Sequence, residues 1–410
     1  MRLDRQAAHP IALALSGGGD SLALLEIAAI WARRASRPLL AVTVDHGLNP
    51  DAADWSRLCE AAARAVGADW ASRRWEGPKP TTGLPAAARR ARHALIAEAA
   101  REAGARVVLF GHTADDVAEG DWMRARGSTL GGLREWSPSP AWPEGRGLML
   151  LRPMLEERRE ALRQLLRARG REWIEDPGNA AYGRGRARTS LREMTEGHRV
   201  GASNAGSSPR GAIERPALGT ARPLALGEGF EGVIRLAPTL LCAAGHDRLP
   251  RAERLEALEA RLAKGEPFTA NLAGARIEAT PQRVRVTREA GELRRVSQRR
   301  LTLTPDCPAV WDGRYEITSG DDGWSVVPAL GRLAQLSVAD RAVVAHSAPA
   351  ARGALPVLIR DGGTSPVLAW RAARVLNLAP RRLSLALGET TQETDLTRTV
   401  HGETPPSDLF

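Results

Sequence analysis

The chain has 410 residues, of which 43% are hydrophobic and 26% are charged, and this composition predicts a soluble, globular protein of two or three domains. No apolar run approaches the ~20 residues that a membrane-spanning helix needs, so a membrane protein is excluded at this level. The apolar stretch near the N-terminus leads straight into a glycine loop, and we therefore expect no signal peptide there.

The charge balance favours a nucleic-acid partner. The chain has 58 basic and 48 acidic residues, which give a formal net charge of +10. The alternative is a compositional bias, since Lys79 and Lys264 are the only lysines and arginine supplies nearly all of the positive charge. Cys59, Cys242 and Cys307 show no paired spacing, so we predict neither a disulfide framework nor a zinc ribbon, and we expect a reducing, cytoplasmic location.

The first half of the chain alternates short apolar runs with helical patterns. Such runs are typical of buried parallel strands, and the alternation predicts an α/β fold whose parallel sheet is covered on both faces. The predicted strands are residues 10–15, 38–46 and 105–112, and the predicted helices are residues 22–34, 51–66 and 84–102.

The rest of the chain predicts four further features. Residues 136–147 read as a loop, followed by a strand at 148–155 and a helix at 156–169. Residues 201–229 are rich in Gly, Ser, Ala and Pro, which predicts a linker or a poorly ordered connection. Beyond it we predict a helix at 252–263, a hairpin at 269–289 and a β-rich region from residue 301. The predicted domains are 1–200, a middle α+β region at 230–300 and a C-terminal region at 301–410.

The glycine loop S-G-G-G-D-S lies between the first predicted strand and the first predicted helix. Backbone amides of Gly17, Gly18 and Gly19 can surround phosphate oxygens, and the helix N-terminus adds partial positive charge. The lysine of a Walker loop is missing, and the G-x-G-x-x-G spacing of a dinucleotide loop also fails. S-G-G-x-D-S is the loop of N-type ATP pyrophosphatases, in which Asp20 would be a carboxylate linked to metal beside the phosphates. An ordinary strand-to-helix turn is the alternative.

Six further motifs follow in a fixed order. They are VDHGLNPDAADW at 44–55, AARRARHAL at 87–95, FGHTADDVAEG at 110–120, RARGSTLGGL at 124–133, LRPML at 151–155 and WIEDPGNAAYGRGRAR at 173–188. Together with the loop, this set resembles the tRNA(Ile)-lysidine synthetases of the PP-loop family, over residues 11–192. The resemblance implies an adenine nucleotide alpha hydrolase-like fold for the N-terminal domain.

The resemblance also implies an activity. Such an enzyme adenylates the wobble cytidine of the isoleucine tRNA with a CAU anticodon at the carbonyl of cytosine. L-lysine then displaces AMP, giving lysidine and changing codon reading from AUG to AUA. ATP, Mg²⁺, tRNA and lysine are the implied ligands, a homodimer is considered, and the middle and C-terminal regions would contact tRNA.

The resemblance assigns nucleotide and metal contacts. Besides Asp20, the nucleotide would contact the rest of the loop and the end of the second strand, namely Ser16, Gly17, Gly18, Gly19, Ser21, Asp45 and His46. Asp20 and Asp116 would bind the metal.

The acid-rich motif G-H-T-A-D-D-V-A-E would carry catalysis with Asp20. His112 ends a predicted strand, and Asp115, Asp116 and Glu119 follow at helical spacing, so a cation is needed among them. The alternative is an acidic first helical turn favoured by the helix dipole. The chain departs from the family pattern here, with Thr113 for a second histidine and with Val117 and Gly120 for polar residues.

Basic motifs would bind substrate or tRNA. The candidates are Arg89, Arg92, Arg126, Asp176, Asn179, Arg184 and Arg188. Solvated faces and a plain loop are the alternatives for the first three, and Gly185 stands where the family has Asn. His93 replaces the usual Tyr, and we assign it no role.

Three other functions stay open. A tRNA thiolation enzyme would share the loop, but it generally needs reactive cysteines, and the chain has no C-x-x-C. Amidating synthetases of small molecules differ after the second strand or carry a glutaminase domain. A non-catalytic relative that binds ATP and RNA is the remaining alternative.

Overall fold

The fold is known from a computed structural model, which describes residues 2–128, 131–175, 219–294, 300–360, 362–363, 365–405 and 407–409. The chain divides into two compact units, one of Met1–Glu214 with Thr391–Leu396 and one of Arg215–Thr390 with Thr397–Phe410. Across the described ranges, no helix combines the length and the apolar character that crossing a membrane requires.

The first unit contains a mostly parallel sheet. Its strands are β1 (Ile11–Ala14), β2 (Leu39–Asp45), β3 (Asp69–Arg74), β4 (Val107–Leu109), β5 (Trp136–Pro138) and β6 (Met149–Leu151), in the order β3-β2-β1-β4-β6-β5. Only the β5–β6 pair is antiparallel among these described strands. The helices are α1 (Gly19–Arg34), α2 (Ala52–Ala65), α3 (Leu84–Glu102), α4 (Ala114–Arg124) and α5 (Arg159–Ala168).

The apolar character of β1 explains its central place in this sheet. All four of its residues are buried, with Ile11 paired to Leu39 and Ala12 paired to Val108. A strand buried on both faces must be apolar throughout, as these residues are. Parallel neighbours bring the carboxyl ends of β1 and β4 to the same edge, where the glycine loop and α4 begin.

The sequence predicted most of these elements, and the differences have physical causes. Helix α3 has the predicted bounds, and α1 begins at Gly19 rather than at residue 22. Strand β3 was not predicted because its residues are half-exposed and form no apolar run. Strand β5 lies in the predicted loop 136–147, and α5 begins three residues later than predicted because turns precede it.

The second unit begins with an antiparallel sheet covered by two helices. The strands are β7 (Ala221–Pro223), β8 (Gly229–Gly232), β9 (Phe268–Leu272), β10 (Ala275–Ala279) and β11 (Val284–Arg288), in the order β7-β8-β11-β10-β9. The helices are α6 (Leu236–Ala244) and α7 (Ala252–Ala263), the latter with the predicted bounds. Because β7 pairs with β8, the linker prediction for 201–229 is wrong at its C-terminal end, while residues 201–218 lie outside the described ranges.

The predicted β-rich region holds two more small antiparallel sheets. One contains β12 (Leu301–Thr302), β15 (Trp324–Pro328), β16 (Pro356–Arg360) and β17 (Val367–Leu368), and the other contains β13 (Ala309–Trp311), β14 (Tyr315–Thr318) and β18 (Arg374–Asn377). Its helices are α8 (Val338–Ala345), α9 (Ala369–Ala372) and α10 (Ala379–Leu387). Leu383 of α10 packs in the same core as Phe230 and Ile277, so the predicted regions 230–300 and 301–410 share a core rather than forming separate ones.

Candidate active site

The glycine loop connects β1 to α1 and is closed by hydrogen bonds within the first unit. Gly17 has a φ of +80°, and its carbonyl oxygen accepts a hydrogen bond from the backbone N–H of Ile174 at 2.9 Å. A Cβ at Gly17 would collide with Cδ1 of Ile174, so only glycine fits. The hydroxyl of Ser21 donates to the carbonyl oxygen of Gly18 at 2.8 Å and accepts from the N–H of Ser16 at 3.2 Å. The two serines thus hold the loop at the helix N-terminus, where the first backbone N–H groups have no intrahelical acceptor.

A second glycine brings the end of β4 against the start of α1. A Cβ at Gly111 would lie 2.9 Å from the carbonyl oxygen of Asp20, closer than side chains normally approach a backbone. This close approach places His112 and the start of α4 beside Asp20. The glycine loop and the acid-rich motif, which are far apart in sequence, therefore meet at one edge of the sheet.

Arg159, the first residue of α5, is the centre of an acidic cluster. Its Nε donates to Oδ2 of Asp20 at 3.1 Å and its Nη1 to Oε1 of Glu119 at 3.0 Å. Its Nη2 lies 3.4 Å from Oδ1 of Asp116. One guanidinium thus compensates three carboxylates, which would otherwise repel one another.

Burial strengthens this cluster. The side chains of Glu119 and Asp116 are only 2% and 8% exposed, and that of Asp20 is 23% exposed. Burial raises the pKa of Asp20 above its usual range, and the charge of Arg159 offsets only part of the rise. Burial alone would lower the pKa of Arg159, but the surrounding carboxylates raise it. The Oδ1 atom of Asp20 is buried and has no hydrogen-bond partner among the described residues.

The two neighbouring aspartates of α4 have different contacts. Oδ2 of Asp116 accepts hydrogen bonds from the N–H and the hydroxyl of Thr113, at 2.9 and 3.0 Å. Asp115 instead accepts from the backbone N–H of Arg159 at 2.8 Å and forms an ion pair with Arg158 at 3.0 Å. Asp115 therefore caps the N-terminus of α5, while Asp116 faces the cluster.

An open cleft of about 230 Å³ lies over the loop. The predicted site residues that line it are Ser16, Gly18, Gly19, Asp20, Ser21, Arg92, His112 and Asp116. Glu119 is joined to this group through Arg159. The ring of His112 stacks on Phe110 at a centroid distance of 5.9 Å, and the ring of Phe110 stacks on His93 at 5.2 Å. Burial lowers the pKa of His93 to about 3, so a structural role accounts for this residue.

The other candidates within the described ranges do not line the cleft. Asp45 accepts a hydrogen bond from the N–H of Gly47 at 2.7 Å, and His46 meets Trp75 edge-on at the end of β2. Arg89 lines a smaller cavity beside Gly120, and Arg126 stacks on the ring of Trp122 at 3.7 Å. The remaining candidates lie outside the described residues: Asp176, Asn179, Arg184 and Arg188.

Among the cleft residues that sequence reasoning gave no role, four carry a charge or an indole N–H: Arg159, Arg163, Trp173 and Glu175. One feature of the sequence could have indicated the role of Arg159. The positive charges of Arg158 and Arg159 at the N-terminus of a helix are unfavourable with the helix dipole, so nearby acids are expected to compensate them.

Comparison with known proteins identifies the family. The model of the PP-loop domain matches residues 2–195. A tRNA(Ile)-lysidine synthase of Caulobacter vibrioides is 45% identical, and the match covers 96% of this chain and 96% of the relative. The chain belongs to the tRNA(Ile)-lysidine synthase family.

Other lysidine synthases agree with this assignment. That of Hyphomonas neptunium is 35% identical over 73% of this chain and 87% of its own, and that of Mesorhizobium japonicum is 35% identical over 86% and 82%. Among solved structures, the U34-tRNA thiolase NcsA of Methanococcus maripaludis covers 47% of this chain and 69% of its own. Its TM-score of 0.41 and identity of 16% are too low to bear on function.

Thr113 fixes the position of Asp116. It precedes α4 and donates to Asp116 from both its backbone and its hydroxyl, and these two hydrogen bonds hold the acid of the cluster in place. Gly120 borders the small cavity that Arg89 and Asp116 also line.

Proposed function

We propose that this chain performs the lysidine synthase reaction in the cleft over its glycine loop. ATP would be cleaved between its α- and β-phosphates, AMP would be attached to the wobble cytidine of the isoleucine tRNA with a CAU anticodon, and lysine would then displace it. The observation that carries the proposal is the meeting of the glycine loop with Asp20 and the buried acids Asp116 and Glu119, which Arg159 joins beside one cleft. The reaction needs both a place for phosphate and a place for an amine.

The loop would hold the pyrophosphate end of ATP. Backbone N–H groups at the start of α1 point where phosphate oxygens bind, and Ser16 and Ser21 keep the loop in this shape. Arg92 adds a positive side chain to the same cleft. Asp45 and His46, at the end of the neighbouring strand β2, would contact the adenosine. These groups orient the α-phosphate toward the carbonyl oxygen of cytosine.

Mg²⁺ fits the residues present. Within the described ranges, no group of three or more His, Cys, Asp or Glu side chains is placed to hold a metal ion by itself. Mg²⁺ bound with ATP needs only one or two carboxylates, because phosphates and water supply its other ligands. Among the described residues, one buried carboxylate oxygen of Asp20 has no hydrogen-bond partner, and Asp116 binds the same guanidinium of Arg159. We assign both to the metal, which would neutralise the charge that develops on the phosphates.

The same cluster would receive lysine. Arg159 already compensates Asp116 and Glu119 with one positive charge, so these carboxylates suit a cationic ammonium group. The attacking amine must be neutral, and His112 in the cleft is our candidate to take its proton. Asp115 would act through α5, whose first N–H it binds, and not on the substrate. We therefore describe Asp115 as a positioning residue.

Arginines near the cleft would bind tRNA. Arg89 and Arg92 lie one helical turn apart on α3, and Arg126 stacks on Trp122. Guanidinium groups form paired hydrogen bonds with phosphate, and an arginine on an aromatic ring can also stack with an unpaired base. Asp176, Asn179, Arg184 and Arg188 stay predictions, as does the homodimer.

The thiolation alternative gains no support from the described residues. Cys59 and Cys242 are buried, Cys307 is exposed, and none of the three lines the cleft.

The proposal is tested by incubating the protein with ATP labelled at the α-phosphate, lysine, Mg²⁺ and the isoleucine tRNA. We expect AMP in the same amount as lysine incorporated into tRNA, and no AMP turnover without the tRNA. A methionine tRNA with the same anticodon is the control for substrate choice. ADP as the product, or tRNA binding without nucleotide cleavage, would contradict the proposal.

A further inference from the structure

Arg163 lines the same cleft as Arg159, but its hydrogen bond goes to Glu175 and not to the acids that Arg159 binds. It follows Arg159 by one turn of α5, so the two side chains share a helix face. Its Nη2 donates to Oε1 of Glu175 at 2.8 Å. Its Nε is buried and has no hydrogen-bond partner among the described residues. A buried donor without an acceptor is costly, which indicates that this guanidinium can serve a further acceptor.

Glu175 holds Arg163 next to the glycine loop. The same Oε1 of Glu175 also accepts a hydrogen bond from Nε1 of Trp173 at 2.8 Å. The ring of Trp173 covers Gly19, since a Cβ there would lie 3.5 Å from the indole. The Arg163 guanidinium lies 5.8 Å from the centre of that ring. Arg163 is therefore kept at the point where α1 begins and phosphate would bind.

The ion pair that holds Arg163 is weak compared with what ATP would offer. The Glu175 side chain is 67% exposed, and ion pairs in contact with water contribute little stability. Arg159, by contrast, forms ion pairs with three carboxylates, two of which are buried. The charge of Arg163 also acts on Asp20, which places the guanidinium within electrostatic reach of the loop. A polyphosphate carries several negative charges and can bind both N–H edges of a guanidinium.

We propose that Arg163 is a phosphate-binding residue that Glu175 holds until nucleotide enters and that then transfers to the pyrophosphate end of ATP. This inference rests on the proposed function, because it requires ATP on the glycine loop. As the bond between the α-phosphorus and the bridging oxygen breaks, the bond from cytosine oxygen to the α-phosphorus forms and charge accumulates on the pyrophosphate. Arg163 keeps its proton and stabilises that charge. Glu175 keeps its hydrogen bond from Trp173.

Arg167 provides a matched control. It lies on the next turn of α5 and its guanidinium is 5.7 Å from the centre of the same Trp173 ring. Its charge is paired with Glu160 at 2.8 Å, its side chain is 55% exposed, and it does not line the cleft. Arg167→Gln therefore removes a guanidinium that contacts the Trp173 ring, as Arg163→Gln does, but it leaves the positive charges that line the cleft unchanged.

The test compares the native protein with Arg163→Gln, Arg163→Lys, Arg167→Gln and Glu175→Gln. For each we would measure kcat and KM for ATP and the inhibition constant of pyrophosphate. Arg163→Gln should lower kcat/KM for ATP by about 10- to 100-fold, the loss expected for a hydrogen bond to a charged group, and should weaken pyrophosphate inhibition similarly. Arg163→Lys should recover part of both, and Arg167→Gln should stay within about twofold of native.

Glu175→Gln should act in the opposite direction. The glutamine oxygen can still accept from Trp173, but the charge that holds Arg163 is removed, so KM for ATP should fall by about two- to fivefold. If Arg163 served only to hold Glu175 and Trp173 in place, Glu175→Gln and Arg163→Gln would lower kcat/KM alike and leave pyrophosphate inhibition unchanged. That result, or equal losses in Arg163→Gln and Arg167→Gln, would overturn the proposal.

A binding measurement separates this inference from the proposed function. The probe is ATP with a methylene group between the α- and β-phosphates, titrated into folded native protein and each variant, with folding checked by the unfolding temperature. Weaker binding to Arg163→Gln supports the role of Arg163 even if the native chain forms no AMP. Suppose that Arg163→Gln leaves binding and pyrophosphate inhibition unchanged while the native chain forms AMP normally. That result would refute the phosphate-binding role of Arg163 and leave the proposed function standing.

Discussion

Replacing Arg159 by methionine tests the electrostatics of the acidic cluster. Methionine keeps much of the apolar stem but removes the charge that Asp20, Asp116 and Glu119 share. Removing one partner of a buried ion pair costs about 3–5 kcal/mol, because the remaining charge stays buried. Since the Arg159 side chain is 15% exposed at an open cleft, we expect the lower end, about 3 kcal/mol. For a unit of roughly 200 residues this is a fall of about 6–12 °C in unfolding temperature.

The loss should depend on pH with a defined sign. Burial raises the folded-state pKa of Asp20 above its unfolded value and the charge of Arg159 holds it down, so removing Arg159 raises this pKa further. Below the unfolded pKa, about 4, the Asp20 carboxyl is protonated in both states and the variant loses little through it. As pH rises through the raised folded-state pKa, Asp20 ionises without its cation and the loss grows. The difference from native should therefore be larger at pH 8 than at pH 5.

The assay is thermal unfolding of native protein and Arg159→Met at both pH values. The transition that ATP shifts to higher temperature identifies the first unit. Arg167→Met is the control, since Arg167 pairs only with an exposed glutamate in the described contacts. Added Mg²⁺ should restore part of the lost stability by binding the carboxylates. A loss that is equal at both pH values, or larger at pH 5, would refute the electrostatic explanation.

Three further predictions concern the loop and the tRNA surface. Asp20→Ala should abolish AMP formation in the labelled-ATP assay while tRNA affinity stays within a few-fold, and a large loss of tRNA binding would contradict this division. Gly111→Ala should lower both AMP formation and the unfolding temperature, because its Cβ would lie 2.9 Å from the carbonyl oxygen of Asp20, whereas Gly132→Ala, which meets open space, should change neither. The logarithm of tRNA affinity should fall steeply with the logarithm of salt concentration, and Arg126→Gln should reduce that slope by about one. An unchanged slope would remove Arg126 from the interface.

The sequence was sufficient for the glycine loop and its place in the fold. Strand β1 must be apolar because it is buried on both faces, and the loop needs glycines and a helix cap. Each requirement produces a pattern among neighbouring residues that can be recognised in the sequence. These patterns placed the loop between the first strand and the first helix, as the structure does, although α1 already begins at Gly19 and therefore includes Asp20 and Ser21.

Contacts between distant segments could not be read in this way. The pairing of Arg159 with Asp20 joins residues 139 positions apart, and helical periodicity alone makes the arginines of α5 look like a solvated face. Helical spacing grouped Asp115, Asp116 and Glu119 together, yet the start of α5 binds Asp115 and leaves Asp116 and Glu119 to Arg159. The tertiary position of α5 decides these roles.

The second unit shows the same limit. Strand β7 lies in a segment rich in Gly, Ala and Pro, and only its pairing with β8 makes it a strand. Likewise, the shared core of Phe230 and Leu383 joins regions whose sequences look independent.

The most direct test of the account follows the oxygen of the target base. The isoleucine tRNA would carry ¹⁸O at the carbonyl of its wobble cytidine, and the AMP formed with ATP and lysine would be analysed by mass spectrometry. Attachment of AMP to that oxygen and its displacement by lysine predict that the ¹⁸O leaves with AMP, one atom for each lysidine formed. AMP without ¹⁸O, or the release of ADP in its place, would contradict the account.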